Sequence, residues 1–191
     1  MNIVVCIKQV PGGTGVQLDP VSRQLIRDSV PAVINPFDYH ALEVAMLLKE
    51  ELGGRVIVLT MGPPKAENAL REALAFGTDK AVLLSDRRFA GSDTWATSYV
   101  LSRAIRKLGG VDLVLCGRQA IDGDTAQIAP ELAAQLGWTQ ALNAAEIRPD
   151  GAFLLVKRLL DDGYDRCRVP LPAVVSVVRE LNTPRVPTLK G

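Results

Sequence analysis

The sequence is poor in the residues that most chemistry needs. It has one histidine, His40, so the two-histidine zinc motifs are excluded. Its three cysteines, Cys6, Cys116 and Cys167, are odd in number and far apart. They fit reduced, mostly buried thiols of a cytoplasmic protein better than a disulfide framework or a metal site. No charge dominates: the net charge is +1 and no Lys/Arg run stands out. Nucleic acid and anionic membrane therefore have no electrostatic footprint here. No apolar run approaches membrane length, so no membrane insertion is expected. The longest, about Ala41 to Leu48, is interrupted by Glu43 and reads as helical core. The N-terminus lacks the basic region, apolar segment and cleavage site of a signal peptide and goes directly into a strand pattern.

The common phosphate fingerprints are missing as well. Gly13-Thr14-Gly15 lacks a third glycine and no helix follows it at once. No Gly-Lys-Ser/Thr closes a glycine-rich loop, which excludes a P-loop enzyme and a standard dinucleotide fingerprint. An adenylating α/β enzyme would need a Ser-Gly-Gly-x-Asp-Ser loop, which is also absent. No nucleophile–base triad or pair of carboxylates is evident. These absences argue against a hydrolase and for a module that binds a group able to do the chemistry itself.

What is present suits one domain with a sizeable core: 191 residues, 48% hydrophobic and 23% charged. The pattern is strand, loop, helix, repeated. Ile3 to Ile7, Arg55 to Met61, Ala81 to Leu84 and Val111 to Cys116 read as buried strands. Helices are expected from Pro36 to about Leu52, from about Lys65 to Phe76, from Ser92-Asp93-Thr94 to about Leu108, and from about Thr125 to Leu136. Pro36 is tolerated in a first turn, and glycines punctuate the helix ends. The alternation predicts an α/β fold, a mainly parallel, doubly wound, Rossmann-like sheet. Residues from about Val16 to Arg27 suggest a small hairpin or loop excursion. Phe153 to Leu160 and Tyr164 to Val169 predict an antiparallel hairpin, within an excursion of about 144–170 on the same domain, and Val174 to Val178 a last strand.

In such a sheet ligands bind beyond the carboxyl ends of the strands. The most informative stretch there is Cys116-Gly117-Arg118-Gln119-Ala120-Ile121-Asp122-Gly123-Asp124-Thr125-Ala126-Gln127. Unpaired N–H groups at the helix start suit a phosphate, Thr125 and Gln127 add side-chain donors, and Gly123 admits a close approach. A polar loop with Asp124 as N-cap satisfies the same residues. Ser92, Asp93, Thr94 and Thr97 mark a second helix start, which alone is ordinary capping. Two such ends on one sheet edge fit a diphosphate better than a monophosphate. His40 reads as a surface or capping residue, Asp161-Asp162 as turn chemistry, and Arg71-Glu72 as a helix surface pair.

Several ordered motifs carry a resemblance over essentially the whole chain. They are Val4-Val5-Cys6-Ile7-Lys8-Gln9-Val10-Pro11, Asn35-Pro36-Phe37-Asp38, Gly62-Pro63, the run Leu70 to Ala81, Cys116 to Asp122, and Leu181-Asn182-Thr183-Pro184-Arg185. Together they resemble the β subunit of electron-transfer flavoproteins. The resemblance implies a heterodimer with an α subunit that holds a redox-active FAD. In ordinary members the β subunit holds AMP, which does no chemistry and braces the complex. The positions implied to lie against the nucleotide are Cys6, Asn35, Thr60, Met61, Gly62, and Gly117, Arg118, Gln119, Ala120, Ile121, Asp122, Gly123, Asp124, Thr125 and Gln127.

Asp122-Gly123-Asp124-Thr125-Ala126-Gln127 and Gly91-Ser92-Asp93-Thr94-Trp95-Ala96-Thr97-Ser98 are similar to the bifurcating and nitrogen-fixation-associated members. In those a second FAD takes the AMP position. NADH gives it a hydride, and its electrons divide between the α-subunit FAD and ferredoxin or flavodoxin. Family members usually continue well past the Asn-Pro-Arg segment. They add a loop that docks on acyl-CoA-type or other dehydrogenases or a quinone reductase, and a C-terminal arm that clasps the α subunit. The expectation is therefore one nucleotide-binding domain over 1–191 without that arm.

Overall fold

The computed structural model describes residues 1–13, 17–18, 25–26 and 31–186. Its core is one sheet of eight strands. In chain order the strands that build it are β1 (Asn2–Cys6), β6 (Arg55–Met61), β7 (Lys80–Leu84), β8 (Leu113–Gly117), β9 (Thr139–Asp150), β10 (Phe153–Leu160), β11 (Gly163–Pro170) and β12 (Ala173–Val177). Two small antiparallel pairs stand apart: β2 (Gln9–Pro11) with β5 (Ala32–Ile34), and β3 (Gln17–Leu18) with β4 (Leu25–Ile26). The second pair is the described part of the excursion expected between about Val16 and Arg27.

The spatial order is β11-β10-β9-β12-β8-β1-β6-β7. From β9 to β7 every neighbouring pair is parallel, whereas β10 runs antiparallel to both β9 and β11. The hairpin expected over Phe153 to Val169 is present and extends the main sheet. β9 escapes the sequence reading. Its first half pairs with β12 and its second half with β10, and the two halves meet at Asn143, which sits at φ 58° and donates its N–H to Ser176 Oγ.

Helices cover both faces. α1 (Pro36–Leu52) and α2 (Glu67–Ala75) lie on one side, α3 (Thr94–Leu108) and α4 (Ile128–Leu136) on the other. The period-two alternation of β1 divides its side chains accordingly. Ile3, Val5 and Ile7 join the core with Ala41, Leu42, Ala45 and Leu70, while Val4 and Cys6 join Leu101, Ile105, Leu132 and Ala133. All of these are buried. α1 begins with Pro36 in its first turn and ends at Gly53, whose φ of 68° disfavours a side chain.

The last described segment is strapped to α1. His40 Nδ1 lies 2.9 Å from Asn182 Oδ1, and Asn182 Nδ2 donates to the His40 carbonyl at 3.0 Å. His40 is thus a tether rather than a surface or capping residue. Arg185 donates to both oxygens of the buried Glu43 at 2.9 and 3.0 Å, and to Glu50 at 2.6 Å. The expected Arg71-Glu72 surface pair is split: Arg71 pairs with Glu67 one turn away, and Glu72 accepts the Tyr39 hydroxyl. Among the described residues no helix is long and apolar enough to cross a membrane.

Candidate functional site

Chain order reverses between β1 and β8: the chain passes from β1 outward to β6 and β7, then returns to β8 on the other side. A crevice beyond the carboxyl ends of the strands opens at such a reversal. Cys6 ends β1 and is in register with Cys116 of β8. Both are buried, and the hydrogen bond between them, with burial, pushes the Cys116 thiol well up. Cys116 is thereby a neutral floor residue rather than a thiolate nucleophile.

Above that floor, Asn35 and Asp38 tie the elements together. Asn35, fully buried just before α1, donates through Nδ2 to Asp38 Oδ1 (2.9 Å) and the Gln119 carbonyl (2.8 Å). Its Oδ1 accepts from the Ile121 N–H at 3.1 Å. Every polar atom of a buried amide is thereby used, and the loop after β8 is fixed to the start of α1. Asp38 accepts from the Lys8 N–H at 2.7 Å and from the Gly117 N–H. Burial pushes its carboxyl up to about 7, although the hydrogen bonds from Asn35, Lys8 and Gly117 work in the opposite direction. Gly117 cannot carry a side chain: a Cβ there would meet Asp38 Oδ1 and lie 2.7 Å from Phe37 Cβ.

Further bonds draw in the other expected residues. Thr60 is buried in β6 and donates to the Ile7 carbonyl at 2.7 Å. Met61 ends the same strand, and Gly62 N–H donates to the Leu84 carbonyl. Lys8 Nζ pairs with Asp122 at 2.7 Å. The Arg118 N–H donates to the Val177 carbonyl, and Gln119 Nε2 to Asp124 Oδ1 at 2.8 Å. Ala120 closes a turn by accepting the Gly123 and Asp124 N–H groups.

The loop into α4 differs from the expectation. The helix begins at Ile128 rather than near Thr125, and Gln127 holds the N-cap position without a side-chain cap. Asp124 is not the cap, because its carboxylate is turned to Gln119. Asp124 and Ala126 sit at φ 50° and 55°, left-handed backbone that interrupts any helix. Residues 121–127, with Gly123 and Thr125 among them, are all exposed. Nothing lies within 4 Å of a Cβ built on Gly123, so the backbone there is open to close approach.

α3 starts where its sequence indicates. Asp93 is the N-cap and accepts from the Ala96 N–H at 2.8 Å. Thr97 lies half-buried on the same first turn. The α3 start faces the α4 start directly: the Thr94 hydroxyl is 3.0 Å from Glu131 Oε1 and 3.2 Å from Gln127 Oε1. The two helix ends expected on one sheet edge are therefore adjacent. Glu131, Lys8 and Asp38 escaped the sequence reading as site residues. Lys8 and Asp38 stand within quoted motifs, but only the fold shows that their atoms join the strand ends.

On the α1 side of the loop, a groove of about 400 Å³ is bordered by Phe37, Arg118, Ile121, Asp124, Val178 and Arg179. The Arg179 guanidinium stacks 4.4 Å from the centre of the Phe37 ring. Among the described residues no group of three or more His, Cys, Asp or Glu is placed to hold a metal ion.

Sheet order defines a doubly wound α/β domain, and the residues gathered above stand at the carboxyl ends of its strands beside the switch point. Residues 23–191 match the electron transfer flavoprotein domain family. The whole chain is 52% identical, over 191 residues, to electron transfer flavoprotein subunit beta of Thermoanaerobacterium thermosaccharolyticum, and covers 73% of that protein. It is 48% identical over 192 residues to the caffeyl-CoA reductase-Etf complex subunit CarD of Acetobacterium woodii, again 100% of this chain and 73% of that protein. Protein FixA of Azorhizobium caulinodans is 47% identical over 189 residues, 95% of this chain and 67% of that protein. The chain belongs to the electron transfer flavoprotein β-subunit family.

Proposed function

We propose that the switch-point site binds FAD and that the chain is the NADH-oxidising β subunit of an electron-bifurcating flavoprotein. The observation that carries this reading is the adjacency of the α3 and α4 starts through Thr94. Each helix start favours nearby negative charge by roughly 0.3–1 kcal/mol when exposed. A monophosphate needs one of them, whereas a diphosphate and the polyol chain beyond it can use both. The residues fit the group: α4 has no side-chain cap, Gly123 leaves the backbone accessible, and Thr94, Thr97, Thr125 and Gln127 offer polar side chains beside it.

In this reading Thr94, Thr97, Gly123, Thr125 and Gln127 hold the diphosphate end, while Asp93 and Asp124 fix the backbone around it by capping α3 and by accepting from Gln119. Cys6, Asn35, Thr60, Met61, Gly62 and the loop Gly117 to Asp122 shape the rest of the crevice. Bound FAD supplies the capacity to take a hydride from NADH and to release electrons singly. The chain's own task is to orient the flavin through backbone donors and to hold the loop rigid through Asn35 and Asp38. The complex comprises an α subunit with its own FAD, a dehydrogenase or reductase, and ferredoxin or flavodoxin, all in the cytoplasm. The likeness to a subunit of a caffeyl-CoA reductase-Etf complex supports that assembly. Residues 1–191 act in it as one nucleotide-binding unit.

The test is a Thr94→Val plus Thr97→Val variant in the co-purified αβ complex. Losing two hydroxyl hydrogen bonds of about 0.5–1.5 kcal/mol each should release the β-site flavin while the α-subunit flavin stays bound. Flavin per αβ dimer falls from two to one in the variant. An unchanged count would contradict the placement of the diphosphate at Thr94.

A further inference from the structure

Glu131 stands on the first turn of α4, against the start of α3. Its Oε1 takes the Thr94 hydroxyl, a group with a single proton that also faces Gln127 Oε1. Its Oε2 is buried and has no hydrogen-bond partner. No Lys or Arg among the described residues forms an ion pair with it. A carboxylate placed in this way is unusual, because enclosed polar atoms nearly always find partners. Its compensating charge is the positive end of α4, on whose first turn it sits. On the site reading above, this carboxylate stands beside the place where a ligand's phosphates would arrive.

We propose that Glu131 is the charge discriminator of the nucleotide site. A diphosphate joining two nucleoside-like halves carries one charge on each phosphate and no terminal phosphate. ADP and ATP add terminal phosphate charge, and Glu131 penalises them for it. This inference rests on the site reading given above and names the feature that selects a dinucleotide over a free nucleoside di- or triphosphate. The same carboxylate competes with the ligand for the Thr94 proton, so Glu131 and bound phosphate share one hydroxyl.

The experiment is calorimetric titration of the αβ complex, freed of β-site nucleotide, with FAD, ADP and ATP in wild type and Glu131→Gln. Removing one charge near the phosphates should tighten ATP most, ADP by about tenfold, and FAD least. Added salt should narrow the difference between wild type and variant. A Thr94→Val variant separates charge from hydrogen bonding: it removes the bond to Glu131 and leaves the carboxylate, so it should weaken all ligands alike. An equal shift for FAD, ADP and ATP in Glu131→Gln, or the same ligand-dependent pattern in Thr94→Val, would overturn the inference. If wild type binds ADP and ATP but no FAD, the FAD reading falls, and the ADP to ATP ratio still decides the role of Glu131.

Discussion

Asp38 concentrates the physical chemistry of the crevice in one side chain. It receives the Lys8 and Gly117 N–H groups and the Asn35 amide, yet burial holds its carboxyl at about 7. An acid raised in the folded state binds more protons there than in the unfolded chain between its two pKa values. That contribution is complete below the ordinary value near 3.8 and is lost as pH rises through about 7. Urea unfolding of the αβ complex at a series of pH values should show this decline, and Asp38→Asn should flatten it. A parallel pH profile in the variant would contradict the assignment. Gly117 gives a second test. A methyl group there meets Asp38 and lies 2.7 and 2.8 Å from Phe37 Cβ and backbone. Gly117→Ala should cost about 1–3 kcal/mol by denaturant unfolding and loosen the loop after β8. Neutral substitution would show that α1 and β8 are less tightly apposed than described.

Among the elements, the strap on α1 gives the clearest prediction. Burial works against the Glu43 charge, but the Arg185 hydrogen bonds outweigh it and hold the carboxyl below its ordinary value. Stabilisation from a depressed acid is present above the ordinary value and is lost as pH falls below it and through the lowered, folded-state value. Arg185→Ala should cost about 2–4 kcal/mol near neutral pH, because it leaves a buried carboxylate unpaired, and much less in acid. Equal cost at both pH values would rule out the ion pair as the cause. α1 itself was legible from its sequence, since Pro36 and Gly53-Gly54 mark both ends. β9 was not. Asn143 in left-handed backbone splits it, Pro149 cannot donate to a ladder, and its alanines carry little strand preference. The α4 start at Ile128 is hidden for a related reason: alanine favours helix, so the left-handed Ala126 has no local signal.

At the scale of the whole molecule, alternating strands and helices specified the parallel sheet, because each buried strand needs helices on both faces. The hairpin β10–β11 was legible from its turn and its apolar runs. Which helix starts would meet was not. Thr94, Gln127 and Glu131 come together only because α3 and α4 pack side by side. That packing sets two helix ends side by side, and the proposed choice of a dinucleotide over a mononucleotide rests on it. The most direct measurement is the identity and amount of nucleotide in freshly purified αβ complex, by acid release and chromatography. Two FAD per dimer are expected, one of them lost in Thr94→Val plus Thr97→Val. One FAD and one AMP per dimer, unchanged by added FAD, would contradict it.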